Sequence, residues 1–169
     1  MEARIESFEA LWQWSVEDIE GFWSLIWDYT DIIGDKGGTV VSDLDLMPGA
    51  TWFPEARLNY AENLLRRRDE QDALVFWGEE RVKRRISHGS LYQAVSRCRQ
   101  GLMAAGVTQG DRVAGFLPNM PETVVAMLAA SSLGAIWSSA SPDFGVEGVV
   151  DRFGQIEPKV LFCVDEYHY

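Results

Sequence analysis

Residues 112–164, RVAGFLPNMPETVVAMLAASSLGAIWSSASPDFGVEGVVDRFGQIEPKVLFCV, alternate two kinds of segment. Arg112–Leu117 is a short apolar run that follows the turn Gln109-Gly110-Asp111. Pro121 opens a helical stretch in which Val124, Met127, Leu128 and Ser131 fall on one face, and Gly134 ends it. Ala135–Ser139 predicts a second strand, Gly145–Gln155 a second helix and Lys159–Val164 a third strand. Strands alternating with helices of this length imply a parallel sheet joined by right-handed crossovers. Such sheets bury both faces, so an edge left open at Tyr169 leads us to expect the front part of a larger α/β enzyme.

Upstream, the pattern changes. Asp72–Trp77 and Arg81–Ile86 are strand-like runs joined by Gly78-Glu79-Glu80, which predicts a hairpin. Ser87 then caps a helix whose Leu91, Val95, Cys98, Leu102 and Ala105 form an apolar stripe, ended by Gly106. Asn59–Arg68 reads as helical, after Trp52–Pro54 where proline blocks a helix and the rings dock. Asp35–Gly38 and Met47–Gly49 carry loop signals.

Residues 1–47 read as an acidic, tryptophan-rich helical extension, and residues 48–169 as an incomplete larger domain. Ser15-Val16-Glu17-Asp18 matches a capping box, with Val16, Ile19, Trp23, Ile26 and Trp27 at helical spacing after it. Four of the seven tryptophans precede Asp28, and rings of that size call for a packing surface. The charge is uneven. Met1–Ala50 carries eleven acids against two bases, and Thr51–Tyr169 fifteen against thirteen. The acidity of the first segment argues against a nucleic-acid or anionic-membrane partner. With no apolar run of membrane length and no secretion-type opening, a soluble cytoplasmic protein is expected. Cys98 and Cys163 form no ligand cluster, so both are expected as buried free thiols with no metal.

Two stretches carry a resemblance. TWFPEARLNYAENLL at Thr51–Leu65 and SSASPDFGVEGVVDRFGQIEPKVLF at Ser138–Phe162 resemble the adenylate-forming acyl-CoA synthetases. Within them they are most similar to the N-terminal portion of the acetoacetyl-CoA synthetase branch. The resemblance covers essentially the whole chain and about the first quarter of such an enzyme. It implies an α/β fold: an N-terminal helical extension, a β-hairpin plus helix, then part of the doubly wound parallel sheet of the family's large domain. It also implies an acid–thiol ligase that uses ATP, Mg2+ and CoA, with small-molecule substrates and the missing C-terminal part as partners.

Adenylation of an acid needs a Gly/Ser/Thr-rich phosphate loop with a lysine, acids for magnesium and ribose, and a mobile lysine for the acyl-phosphate transition state. No such loop string occurs in this sequence. In the resembled enzymes these parts come later, so no catalytic residue is carried over and the chain alone is expected to be inactive. Gly37-Gly38 lies among acids that would repel a phosphate.

One turn is the candidate for a role near CoA or in shaping the pocket: Ser141, Pro142, Asp143 and Phe144, between a strand's carboxyl end and a helix start. Related acetyl-CoA synthetases carry a glycine-bearing turn there; here Pro142 and Asp143 stand instead. The competing reading makes Ser141 or Asp143 a helix cap. Asn119-Met120-Pro121-Glu122 divides similarly between helix-start chemistry and the lining of a pocket. Arg66–Arg68 and Arg81, Lys83–Arg85 read as a solvated face rather than a phosphate site, and His88 and His168 as incidental. Two other classes stay open: a non-catalytic piece completing a separate C-terminal partner, and a stand-alone nucleotide-binding module. The second is weakened by the glycine-free turn after Leu117.

Overall fold

A computed structural model describes residues 6–78 and 82–166, which form parts of two compact units, Met1–Leu58 and Asn59–Tyr169. The turn at Glu79-Glu80, Arg81 and His168 lie outside the described residues.

The first unit opens with α1 (Phe8–Glu17) and α2 (Ile19–Tyr29). Ser15 caps neither of them. Ser7 caps α1 by accepting from the N–H of Ala10 at 3.1 Å, and Ser15 donates its hydroxyl to the Trp12 carbonyl at 2.7 Å. Asp18 breaks the run: its backbone leaves the helical region, and its carboxylate accepts from the Gly21 N–H at 3.0 Å and the Trp14 indole at 3.1 Å. A carboxylate that satisfies two donors there makes a new start more favourable than one continuous helix. The apolar series from Val16 to Trp27 therefore spans two helices.

Four two-residue strands follow: β1 (Gly34–Asp35), β2 (Val41–Ser42), β3 (Thr51–Trp52) and β4 (Arg57–Leu58). β1 pairs antiparallel with β4, and β2 with β3. The rings dock as expected within this unit, Trp23 on Trp52 with centroids 5.6 Å apart and Trp27 on Phe53 at 5.0 Å.

The second unit begins with α3 (Tyr60–Leu64), half the length expected from Asn59–Arg68. Its five residues are anchored by Asn59, whose Oδ1 accepts from the Glu62 N–H at 3.0 Å. Arginines 67 and 68 turn instead to Asp69 and to the Tyr92 ring, so the chain leaves the helix. The hairpin is β5 (Asp72–Gly78) with β6 (Val82–Ser87), antiparallel, and Ser87 caps α4 (His88–Ala104) by accepting from Ser90 at 3.2 Å. Leu91, Val95 and Leu102 are buried on α4 as the stripe requires; Cys98 is half-buried and Ala105 is exposed at the helix end.

Then come β7 (Arg112–Phe116), α5 (Pro121–Ser132), β8 (Ile136–Ala140), α6 (Val146–Ile156) and β9 (Val160–Cys163). The three strands are parallel in the order β8-β7-β9. From β7 the chain moves to one side through α5, then back past β7 through α6. Two right-handed crossovers running in opposite directions put their helices on opposite faces, which makes this part of a doubly wound sheet. The side chains sort accordingly. Val113, Trp137, Val160 and Phe162 pack with α4 and α5, while Ala114, Phe116 and Ala140 pack with Val149, Phe153 and Ile156 of α6.

α5 differs from the one-faced helix expected. Ala126, Leu128, Ala129 and Ala130 are buried, with Val124, Val125 and Met127 packed beside them, because α3 and α4 contact it as well as the sheet. Gly115 sits under this layer. A Cβ there would stand 2.6 Å from the Trp137 ring, so only glycine lets Trp137 and Phe162 lie over β7 at 6.3 Å between centroids.

Candidate functional site

Two places gather polar side chains at the carboxyl edge of the parallel sheet, where open α/β folds hold ligands. The larger is a cleft of about 430 Å³ between the hairpin, the loop leaving β7 and the segment after β9. Phe76, Trp77 and Val82 form its apolar wall; Asn119, Met120 and Glu122 come from the start of α5, and Asp165 and Glu166 follow β9. The Asn119–Glu122 turn thus starts α5 and borders this cleft. Pro121 occupies the first helical turn without a side-chain cap at Met120, and its neighbours line a pocket.

Arg84 reaches across from β6 to Glu122, Nη1 to Oε1 at 2.7 Å. The described residues of the basic clusters are exposed, as a solvated face requires, and several also pair with neighbours in this unit. Arg85 pairs with Asp72, Arg67 with Asp69 at 2.9 Å, and Lys83 lies 4.3 Å over the Trp77 ring. Arg67, followed by the N–H of Gln71, holds the Asp69 carboxyl below the usual carboxylate range. Among the described residues, the charged side chains lining the cleft besides the Arg84–Glu122 pair are acids, Asp165 and Glu166.

The second place is the turn Ser141–Phe144. Ser141 donates its hydroxyl to Asp143 Oδ2 at 2.7 Å, and the Asp143 N–H leans back on the Ser141 hydroxyl at 3.4 Å. Neither residue caps α6: the N-cap is Gly145, with no side-chain hydrogen bond. The capping reading fails because the two side chains bond one another rather than the helix amides. Phe144 is exposed, its ring lying under the Arg152 guanidinium at 4.3 Å. What this arrangement offers is an ordered, polar and aromatic lip at the end of β8.

Other residues act as joints. Glu55 fills the loop at Gly37-Gly38, accepting from the Gly38 N–H at 2.6 Å and from the Thr39 N–H and hydroxyl, each at 3.3 Å. Gly37 has a φ of +75°, and a Cβ on it would meet Glu55 at 2.6 Å. The Gly38 N–H first, then that of Thr39, lowers the Glu55 carboxyl below its ordinary range. This glycine cradle is thus taken by the chain's own carboxylate and does not fit a triphosphate.

Asn59 spends its amide on the carbonyls of Ser131 and Ser132, 3.2 and 3.3 Å away at the end of α5. Under the sheet, Asp111 accepts from the Thr108 N–H at 2.7 Å and from Lys159 at 3.0 Å, which brings its carboxyl down to about 2, the Thr108 amide contributing most. No sequence motif announces these contacts; each depends on a partner distant along the chain or on a loop conformation. Cys98, half-buried, has its thiol pushed up by burial, but Cys163 is exposed rather than buried because nothing described covers its side of β9. Among the described residues no group of His, Cys, Asp and Glu could hold a metal ion, and no helix is long and apolar enough to cross a membrane.

Residues 61–168 match the family described as AMP-binding enzyme, nearly two-thirds of the chain. The chain belongs to that family. The preceding residues, 8–64, match the acetyl-coenzyme A synthetase N-terminus. An acetoacetyl-coenzyme A synthetase of Rhizobium meliloti (strain 1021) is 51% identical over 162 residues, covering 96% of this chain and 25% of that protein. The Gallus gallus acetoacetyl-CoA synthetase is 42% identical over 98% of this chain and 26% of its own length. A malonamoyl-CoA synthetase of Penicillium aethiopicum is 40% identical over 94% of this chain. The solved acetoacetyl-CoA synthetase from Streptomyces lividans superposes with a TM-score of 0.87 at 43% identity, over 96% of this chain and 26% of that one. The chain thus spans about a quarter of the length of the curated relatives it matches. Its α/β architecture is the one found in the opening part of the AMP-binding domain in that solved structure.

Proposed function

We propose that the chain is the N-terminal part of an ATP-dependent, AMP-forming acyl-CoA synthetase that converts acetoacetate, ATP and CoA to acetoacetyl-CoA, AMP and pyrophosphate. The observation that carries this reading is the agreement with acetoacetyl-CoA synthetases along nearly the whole chain, 51% identical in the Rhizobium meliloti protein. On this reading residues 1–47 are an extension and residues 48–169 the start of the adenylation domain. ATP, Mg2+ and CoA serve the full enzyme, in the cytoplasm.

The chain by itself does not hold the reaction. Its glycine cradle at Gly37-Gly38 is filled by the Glu55 carboxylate, which leaves that loop unsuited to a triphosphate. The partner is the remaining C-terminal part, in the same polypeptide or a separate one. Within the whole enzyme, the lip formed by Ser141, Asp143 and Phe144 borders the CoA side of the pocket. There Asp143→Ala raises the KM for CoA several-fold and leaves kcat unchanged. An unchanged KM with a lower melting temperature would reduce the turn to a structural role.

Acyl preference is tested by joining the chain to the remainder of the Rhizobium meliloti relative and measuring AMP formation with acetoacetate, malonamate, acetate and propionate. Acetoacetate is expected to give the highest kcat/KM. Preference for acetate or propionate would favour the reading suggested by the acetyl-coenzyme A synthetase N-terminus match over residues 8–64.

A further inference from the structure

The backbone donors of the turn after β8 are already spent. Pro142 has no N–H, the Asp143 N–H leans on the Ser141 hydroxyl at 3.4 Å, and the Phe144 N–H donates to the Ser141 carbonyl at 3.1 Å. The Ser141 hydroxyl goes in turn to the Asp143 carboxylate. An anion arriving at this edge therefore gains no hydrogen bond from Pro142, Asp143 or Phe144, and a positive group must come from outside the turn. The helix α6 brings one. Gly148 and Arg152 lie four residues apart on one face of it. Gly148 has no side chain to stand between Phe144 and Arg152, and even a Cβ there would touch the Phe144 ring at 3.8 Å. Helical side chains lean toward the N-terminus, so the Arg152 guanidinium reaches back over that ring, 4.3 Å from its centre.

A guanidinium stacked by its face keeps its in-plane N–H groups for other partners. In this unit Arg67, Arg84, Arg85 and Lys159 each hold a carboxylate. Among the described residues Arg152 pairs with none, although Glu147 and Asp151 belong to the same helix. The cation is thus held in place by an aromatic ring, and its hydrogen-bonding edge stays open at the rim of the sheet. A planar fork of this kind matches two oxygens of one phosphate. We propose that Arg152, positioned over Phe144, is a contact for a phosphate of CoA at the end of β8. This rests on the proposed reading of the Ser141–Phe144 lip as the CoA side of an acyl-CoA synthetase.

The test uses the chain joined to the Rhizobium meliloti remainder, with affinities for CoA and for ATP measured by equilibrium dialysis. Arg152→Gln is expected to raise the Kd for CoA by about tenfold, the loss of a charge-assisted bond, while the Kd for ATP stays within twofold. Arg152→Lys keeps the charge without the fork and should fall between the parent and Arg152→Gln. Phe144→Leu removes the ring that holds the guanidinium, so it should weaken CoA binding in the same direction by a smaller factor. Dephospho-CoA, which lacks the ribose phosphate, then tells which group is held. A penalty that disappears with it places the contact on the ribose phosphate, and one that remains places it on the diphosphate.

An unchanged Kd for CoA in Arg152→Gln would overturn the proposal. So would a loss shared equally by CoA and ATP, since that marks a general loss of structure rather than a contact. The AMP assay separates this claim from the one beneath it. A joined protein that makes acetoacetyl-CoA, and binds CoA equally well with Arg152→Gln, keeps the function and loses the contact. Binding of CoA that depends on Arg152, without acetoacetate-dependent AMP, keeps the contact and loses the acid assigned to the enzyme.

Discussion

Met1–Leu58 and Asn59–Tyr169 are held by different forces. Among the described residues of the first unit only Val41 is a buried apolar side chain, and order comes from edge-on ring contacts, two short ladders and the Glu55 clasp. In the second, a continuous cluster from Ala61 to Ala135 is buried, and the central strand β7 is covered on both faces. Apolar burial stabilises in proportion to area and tolerates distance from any one bond, whereas a clasp fails when a single acceptor is lost. The contrast teaches which substitutions act on a whole unit and which act locally.

The largest effect is expected in the second core. Leu128 is almost wholly buried, so Leu128→Ala should destabilise the chain by about 2–5 kcal/mol, read from urea unfolding; a loss below that range would mean the core repacks. Gly115→Ala comes next. The added Cβ meets the Trp137 ring, and overpacking of this sort costs about 1–3 kcal/mol, with a change in Trp137 fluorescence.

In the first unit the expected response is local. Glu55→Gln removes the charge that the Gly38 and Thr39 amides stabilise, and their hydrogen exchange should quicken by about tenfold with little change in the global midpoint. A global collapse would show that the clasp carries more than its loop. The smallest effect is on acid stability. The Asp111 carboxyl is depressed in the folded chain, so its contribution is complete above the unfolded value and is lost as pH falls through about 2. Lys159→Met should flatten that acid limb of the urea midpoint, and an unaltered profile would remove Lys159 from the account.

How legible these features were in the sequence follows from their range. The three parallel strands and the two helices between them were readable to within one residue at either end, because apolar runs, Pro121 and Gly134 are local signals. Ser15 misled because a capping pattern takes no account of a competing acceptor, and Asp18 gains the indole of Trp14 as well as an amide. Ser141 and Asp143 misled similarly, since their bond to one another is invisible in a string of residues. The exposure of Cys163 and Ile136 could not be read either. A strand's alternation says which residues share a face, not whether that face is covered. The Ser141–Phe144 turn was legible as the junction of a strand's carboxyl end with a helix start, and only the resemblance suggested CoA for it, while the cleft emerged from three segments far apart in the chain.

The most direct test of the central claim is acetoacetate-dependent AMP release, measured with ATP, Mg2+ and CoA for the purified chain alone and after addition of the Rhizobium meliloti remainder. No AMP from the chain alone and steady formation from the combination are the expected results. AMP formation by the chain alone, or none from a combination that demonstrably binds, would contradict the reading of this chain as the opening quarter of an acetoacetate-activating ligase.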